Sequence, residues 1–221
     1  MRNTTAALFL ISLLILTSCN SRSTQILLQD EFDSTDNNTV SLLLIEADHL
    51  IDFFPTHIYG ALRPMERNIF DNQLLQLFSS QTQSTVVGKK SSGNVDPSNL
   101  NMRKFETDNA DFTIISPKSG TDLSSSDIES RFTLIMDQYH FISYQVGGGS
   151  GSYAGHEQET QNRIRFDLSY LIWDNQQMKE VGWGNVSSDH LLYSDDIAQS
   201  YRNVMTSAFQ KIVHMSPFQP A

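Results

Sequence analysis

Between Arg163 and Asn185 the chain alternates with a period that only an extended strand accommodates. Ile164, Phe166, Leu168, Tyr170 and Ile172 fall on every second position, which puts them on one face of a strand. Asp174-Asn175-Gln176-Gln177 reads as a turn, and Val181, Trp183 and Asn185 return as the antiparallel partner. Further on, Ile197, Tyr201, Val204, Ala208 and Ile212 form one apolar stripe at helical spacing, widened by Met205 and Phe209. That stripe must pack on a sheet. Ser194 is placed to cap this helix, with Asp195 and Asp196 at its positive end.

Upstream the same two periods recur. Thr39–Ile45 is a continuous apolar run, as expected of a strand buried on both faces. An irregular stretch, Ala47–Gly60, leads to a helix over Pro64–Ser80, with Pro64 in the first turn and Met65, Ile69, Phe70, Leu74, Leu77 and Phe78 at helical spacing. Ser84–Val87 is β-branched and predicts a strand; strand, helix and strand in this order predict a parallel crossover. Gly88–Ser98 has loop composition, Phe112–Ile115 predicts a strand stopped by Pro117, and Ser124–Asp127 predicts a brief capped turn. From Phe132 a long strand alternates through Leu134 and Met136 to Tyr139 and Phe141, with a bulge near Asp137–Tyr139 where the phase shifts. The fold class that results is α+β: a two-layer arrangement with a mixed sheet, helices mainly on one face, and a C-terminal amphipathic helix.

The first residues follow another logic. Arg2 is followed by the apolar run Ala6–Leu16, then by Thr17, Ser18 and Cys19, the single cysteine. The run is too short to span a bilayer, which takes about 20 residues, and has the layout of a secretory signal. Leu16-Thr17-Ser18-Cys19 resembles the lipobox of bacterial lipoproteins, an aliphatic residue and two small ones before Cys. The resemblance implies a signal peptide over 1–18, cleavage before Cys19, and acylation of Cys19, including palmitate-type chains, as a membrane anchor. It also implies, through Asn20 rather than Asp after the Cys, the outer membrane facing the periplasm. Residues 19–38, with Asp30, Glu31, Asp33 and Asp36, then read as a tether in which Ile26–Leu28 could form a short edge strand, and 39–221 as a single domain.

Charge limits the partners. There are 25 acidic residues against 15 basic, a net charge of −10, which argues against nucleic acid and against attraction to anionic headgroups. With Cys19 acylated, the body has no disulfide and no Cys metal site. The hairpin at Arg163–Ser187, with Trp173-Asp174-Asn175 at its turn, and the helix at Ile197–Val213 resemble in pattern the small α/β domains of envelope lipoproteins. These include transport-auxiliary, cell-wall-synthase-activator and curli-secretion types. The resemblance assigns no site residue.

Catalytic signals are sparse. Gly147–Ala154 contains a formal G-x-G-x-x-A, but a strand follows it where a dinucleotide loop needs a helix. Ser150, Ser152 and His156 lack the elbow of a serine hydrolase. The six histidines, His49, His57, His140, His156, His190 and His214, show no metal-ligand spacing and read as exposed loop residues. Asp48, His49 and Asp52, after the first strand, are the best remaining polar cluster. Trp173 and Trp183 are expected to face each other near the turn, one in the core and one exposed. No catalytic residue, cofactor or metal is assigned. The expectation is a non-enzymatic binding or accessory module with an envelope protein partner, a small-molecule or lipid ligand being possible. The alternative is an envelope hydrolase with dispersed catalytic residues.

Overall fold

The computed structural model describes residues 38–106, 111–124, 128–147, 160–218 and 220–221, together with the backbone of 24–27. The strands are β1 (Thr24–Leu27), β2 (Thr39–Leu44), β3 (Thr85–Ser91), β4 (Leu100–Glu106), β5 (Asp111–Pro117), β6 (Phe132–Val146), β7 (Gln161–Asp174) and β8 (Lys179–Leu191). The helices are α1 (Ala47–Leu50), α2 (Pro64–Ser79) and α3 (Ile197–His214). A mixed sheet runs β1-β8-β7-β6-β2-β3, and β4-β5 form a separate antiparallel ribbon. The fold is α+β.

The sheet is parallel where β2 meets β3 and β6, and antiparallel from β6 to β1. Helices α2 and α3 cover one face. Phe70, Leu74 and Phe78 of α2 and Tyr201, Val204, Met205, Ala208, Phe209 and Ile212 of α3 pack on Leu42, Leu134, Met136, Phe166 and Tyr170. Each such side chain taken fully out of water contributes roughly 1.5–3 kcal/mol. The helices are also joined by polar contacts. The buried Glu66 carboxylate accepts from the Arg63 side chain and backbone N–H and from the Tyr201 hydroxyl. Burial alone would raise the Glu66 carboxyl, but the Arg63 and Tyr201 hydrogen bonds and the Arg63 charge outweigh it and hold it below its ordinary value. Burial, with Glu66 nearby, pushes the Tyr201 phenol up to about 12.

The ribbon covers part of the other face. Phe105, Phe112, Ile114 and Ile115 pack on Leu43, Ile135, Leu171 and Trp173, with Trp183 at the edge. Trp173 is fully buried and donates to Thr121 O at 3.0 Å; Trp183 is half-buried, 4.8 Å from the Phe105 ring. The two indoles do not oppose each other as expected. A register shift after Ile172 puts Trp173 opposite Glu180 and Trp183 opposite Leu171.

Other expectations need correction. Strand β3 continues through Gly88-Lys89-Lys90-Ser91, where composition suggests a loop, because each residue pairs along β2. The buried Lys90 ammonium donates to Leu123 O and Ile128 O at 2.7 and 3.1 Å. β4 carries no alternating apolar signal in the sequence, burying only Leu100 and Phe105. Met65 and Ile197 lie at helix starts and are exposed. The cap of α3 is Asp196, which accepts from the Gln199 N–H at 2.9 Å, two residues after the Ser194 expected there.

Candidate functional site

The ribbon covers only the half of its sheet face nearest the β7–β8 turn. Beyond Leu171 and Trp183, the side chains that share this face turn polar: Ser169, Asp167, Arg165 and Arg163 on β7, Asn185, Ser187 and Asp189 on β8, and His140 on β6. The opposite face of the same strands stays apolar through Phe141, Ile164, Phe166 and Val186. The alternation of β7 therefore supplies both a core and an open polar surface. Where that surface meets Asp111, Phe112 and Gln138 it forms a groove of about 380 Å³, within the range of ligand-binding clefts.

The groove's side chains hold one another. Asp167 lies at the centre. Ser187 donates to its Oδ1 at 2.6 Å, Arg165 Nε donates to its Oδ2 at 2.9 Å, and His140 Nε2 stands 3.5 Å away. His140 Nδ1 is turned to Gln138 O at 3.1 Å, and Ser169 donates to Asn185 Oδ1 at 2.6 Å. At the outer edge Arg163 donates to Asp189, and that bond, its largest perturbation, raises the Arg163 guanidinium further. Burial lowers the Lys211 ammonium, which reaches across from α3 to Ser187 O at 2.6 Å. The order Ser187–Asp167–His140 is not that of a hydrolytic triad. The imidazole lies across the carboxylate from the hydroxyl, whereas general-base catalysis needs it between them. Arg165 keeps its two terminal nitrogens without a partner among the described residues.

A second polar assembly sets the groove's wall. Strand β6 bulges between Asp137 and His140, with Gln138 at φ 53°. The wholly buried Asp137 carboxylate accepts from His57 Nε2, Ile115 N–H and Gln138 N–H at 2.9, 2.9 and 2.7 Å. It thereby ties the segment after α1, the ribbon and the bulge together. Gly60 is needed beside it: a Cβ there would lie 2.7 Å from Tyr139 O.

No family model matches the chain, and no curated protein does. Among solved structures it is similar to a neuraminyllactose-binding hemagglutinin homolog from Helicobacter pylori, at 15% identity over 81% of this chain and 82% of that one, with a TM-score of 0.36. So loose a likeness decides nothing about the groove, whose reading rests on its own residues.

The residues singled out from sequence are scattered. Cys19, the acidic stretch Asp30–Asp36, the glycine-rich segment with Ser150, Ser152 and His156, and most of the Ser124–Asp127 turn lie outside the described residues. Asp48, His49 and Asp52 are exposed, and the His49 ring lies against Gly93. His57 and His140 are carboxylate partners rather than free loop histidines; His57 is buried because Asp137 satisfies one ring nitrogen. The described residues contain no group of three or more His, Cys, Asp or Glu able to hold a metal, and no described helix is long and apolar enough to cross a membrane. A second cavity, about 490 Å³, is lined by Asp122, Glu129, Arg131 and Asn175. Its floor is a network of Ser41, Ser130, Thr133 and Asn175 that anchors the β7–β8 turn.

Proposed function

We propose that the chain is an envelope lipoprotein, acylated at Cys19 and held on the periplasmic side of the outer membrane. Its body acts as a non-catalytic accessory module that binds a polar segment of an envelope protein in the groove around Asp167. The anchor is supported by Leu16-Thr17-Ser18-Cys19 behind a short apolar run. Binding rather than chemistry is supported by one observation: Asp167 already accepts from Ser187 and Arg165, which presets the surface while leaving the serine proton committed to a carboxylate. Preset polar groups lose little conformational entropy when a partner docks. Arg165, whose terminal nitrogens meet no partner among the described residues, is the residue best suited to a carboxylate or carbonyl on that partner.

Crosslinking in intact cells followed by purification tests this. The wild type should recover a specific envelope protein, and Arg165→Glu, with an unchanged melting temperature, should lose it. Equal recovery from both would contradict the groove assignment. Growth with radiolabelled palmitate tests the anchor separately; an unlabelled protein would remove it.

A further inference from the structure

Resting on the groove reading above, we propose that His140 regulates docking there: with its imidazole protonated, the groove holds an acidic side chain of the partner more tightly.

Both ring nitrogens of His140 face an acceptor. Nδ1 lies 3.1 Å from Gln138 O and Nε2 lies 3.5 Å from Asp167 Oδ2. A carbonyl and an ionised carboxylate only accept, whereas a neutral imidazole carries one N–H. Either tautomer therefore sets one lone pair of the ring against an acceptor, and only the doubly protonated ring satisfies both contacts. Strand pairing fixes this arrangement. His140 stands opposite Asp167 in the antiparallel register, and Gln138 falls in the gap where that register shifts, with its carbonyl turned to the ring. The His140 side chain is 42% exposed, so solvent protons reach it, and histidine is the side chain whose charge changes between about pH 5 and 8.

The charges around the ring otherwise balance. On β7, Asp167 is paired with Arg165, and on the ribbon Asp111 is paired with Lys104 at 2.7 Å. One row further out, Asp189 is paired with Arg163. On β6 itself, buried Asp137 accepts from His57 and from two backbone N–H groups. Ala61, which bridges to His140, adds no charge, and Arg63 two positions on is turned to Glu66. A proton on His140 thus leaves one unbalanced positive charge beside Arg165, whose terminal nitrogens meet no partner among the described residues. A guanidinium and an imidazolium on one wall suit a carboxylate rather than a neutral carbonyl. Docking therefore strengthens as pH falls, as long as the partner's carboxylate stays ionised, above about pH 4.3.

The test is photo-crosslinking of the full-length protein in washed cell envelopes at about pH 5.5 and about pH 7.5, between which a histidine gains or loses its charge. Wild type, His140→Gln and His140→Arg are compared, with melting temperatures recorded at both pH values. Partner recovery by the wild type should rise about threefold at the lower pH, the scale of one added charge acting over several ångströms through water-like surroundings. His140→Gln should recover the same amount at both, and His140→Arg, permanently positive, should match the acid wild type at both. Equal recovery by the wild type at the two pH values would overturn the regulation and leave the groove reading standing. A rise shared by His140→Gln would assign the effect to another group and overturn the role of His140. Greater recovery at the higher pH would mean a cationic partner group and overturn the carboxylate. No adduct from any variant at either pH would overturn the groove reading and the regulation with it.

Discussion

The two faces of one sheet are finished differently. The face under α2 and α3 is apolar from Leu134 and Ile172 to Phe141 and Ile164, and the helices seal it along that length. The face under the ribbon is apolar only near Ile135, Leu171 and Trp173, then polar from Ser169 onward. The same strands build both, since successive side chains point to opposite faces. The sealed face therefore carries most of the stability. The half-open face is free to carry recognition, because its outer side chains hold nothing together but one another.

Substitutions should separate the faces. The largest effect is expected for Phe166→Ala, which removes a ring packed among Phe70, Phe141 and Phe209. It should cost about 4 kcal/mol in urea unfolding; a loss below about 1 kcal/mol would mean that the helical face is not the main core. Asp137→Ala should cost about 3 kcal/mol, because it strands His57 and the N–H groups of Ile115 and Gln138. Its damage should spread to the ribbon, seen as faster amide exchange in β5, and normal exchange there would break the link drawn between bulge and ribbon.

Glu66→Gln should cost about 2 kcal/mol at neutral pH. Its carboxyl is held below the ordinary 4.5 in the folded state, so the contribution is fully present above about 4.5 and is lost as pH falls through the folded value. The wild type and Glu66→Gln should therefore converge in stability under acid; a constant gap would contradict the sign. The smallest effect is expected for Arg165→Ala, within about 0.5 kcal/mol of the wild type, although partner recovery should fall. A large stability loss there would erase the distinction between the faces.

Much of this architecture was legible from periodicity. The β7–β8 hairpin, the bulge in β6, the parallel β2–β3 pair and the two covering helices follow from apolar spacing in Ile164–Ile172, Phe132–Phe141, Thr39–Ile45 and Ile197–Val213. The ribbon was half hidden. Leu100-Asn101-Met102-Arg103-Lys104-Phe105-Glu106 buries only Leu100 and Phe105, and its partner strand decides its conformation. Arg163, Arg165, Asp167 and Ser169 stand between the apolar positions of β7, but nothing in their local sequence marks them as a groove. What could not be seen was His140 arriving beside Asp167. That needs both the phase shift at Gln138 and the antiparallel register of β6 on β7, which are properties of pairing rather than of local sequence. The Asp137–His57 contact spans 80 positions and leaves no periodic trace.

Site-specific photo-crosslinking in living cells tests the division between the faces most directly. A photoreactive residue replacing Ser187, in the groove, is compared with one replacing Val87, an exposed position on the outer strand β3. Binding on the half-open face predicts one discrete adduct from position 187 that disappears in the Arg165→Glu background, with none from position 87. Equal adducts from both positions, or an adduct at 187 indifferent to Arg165, would contradict it.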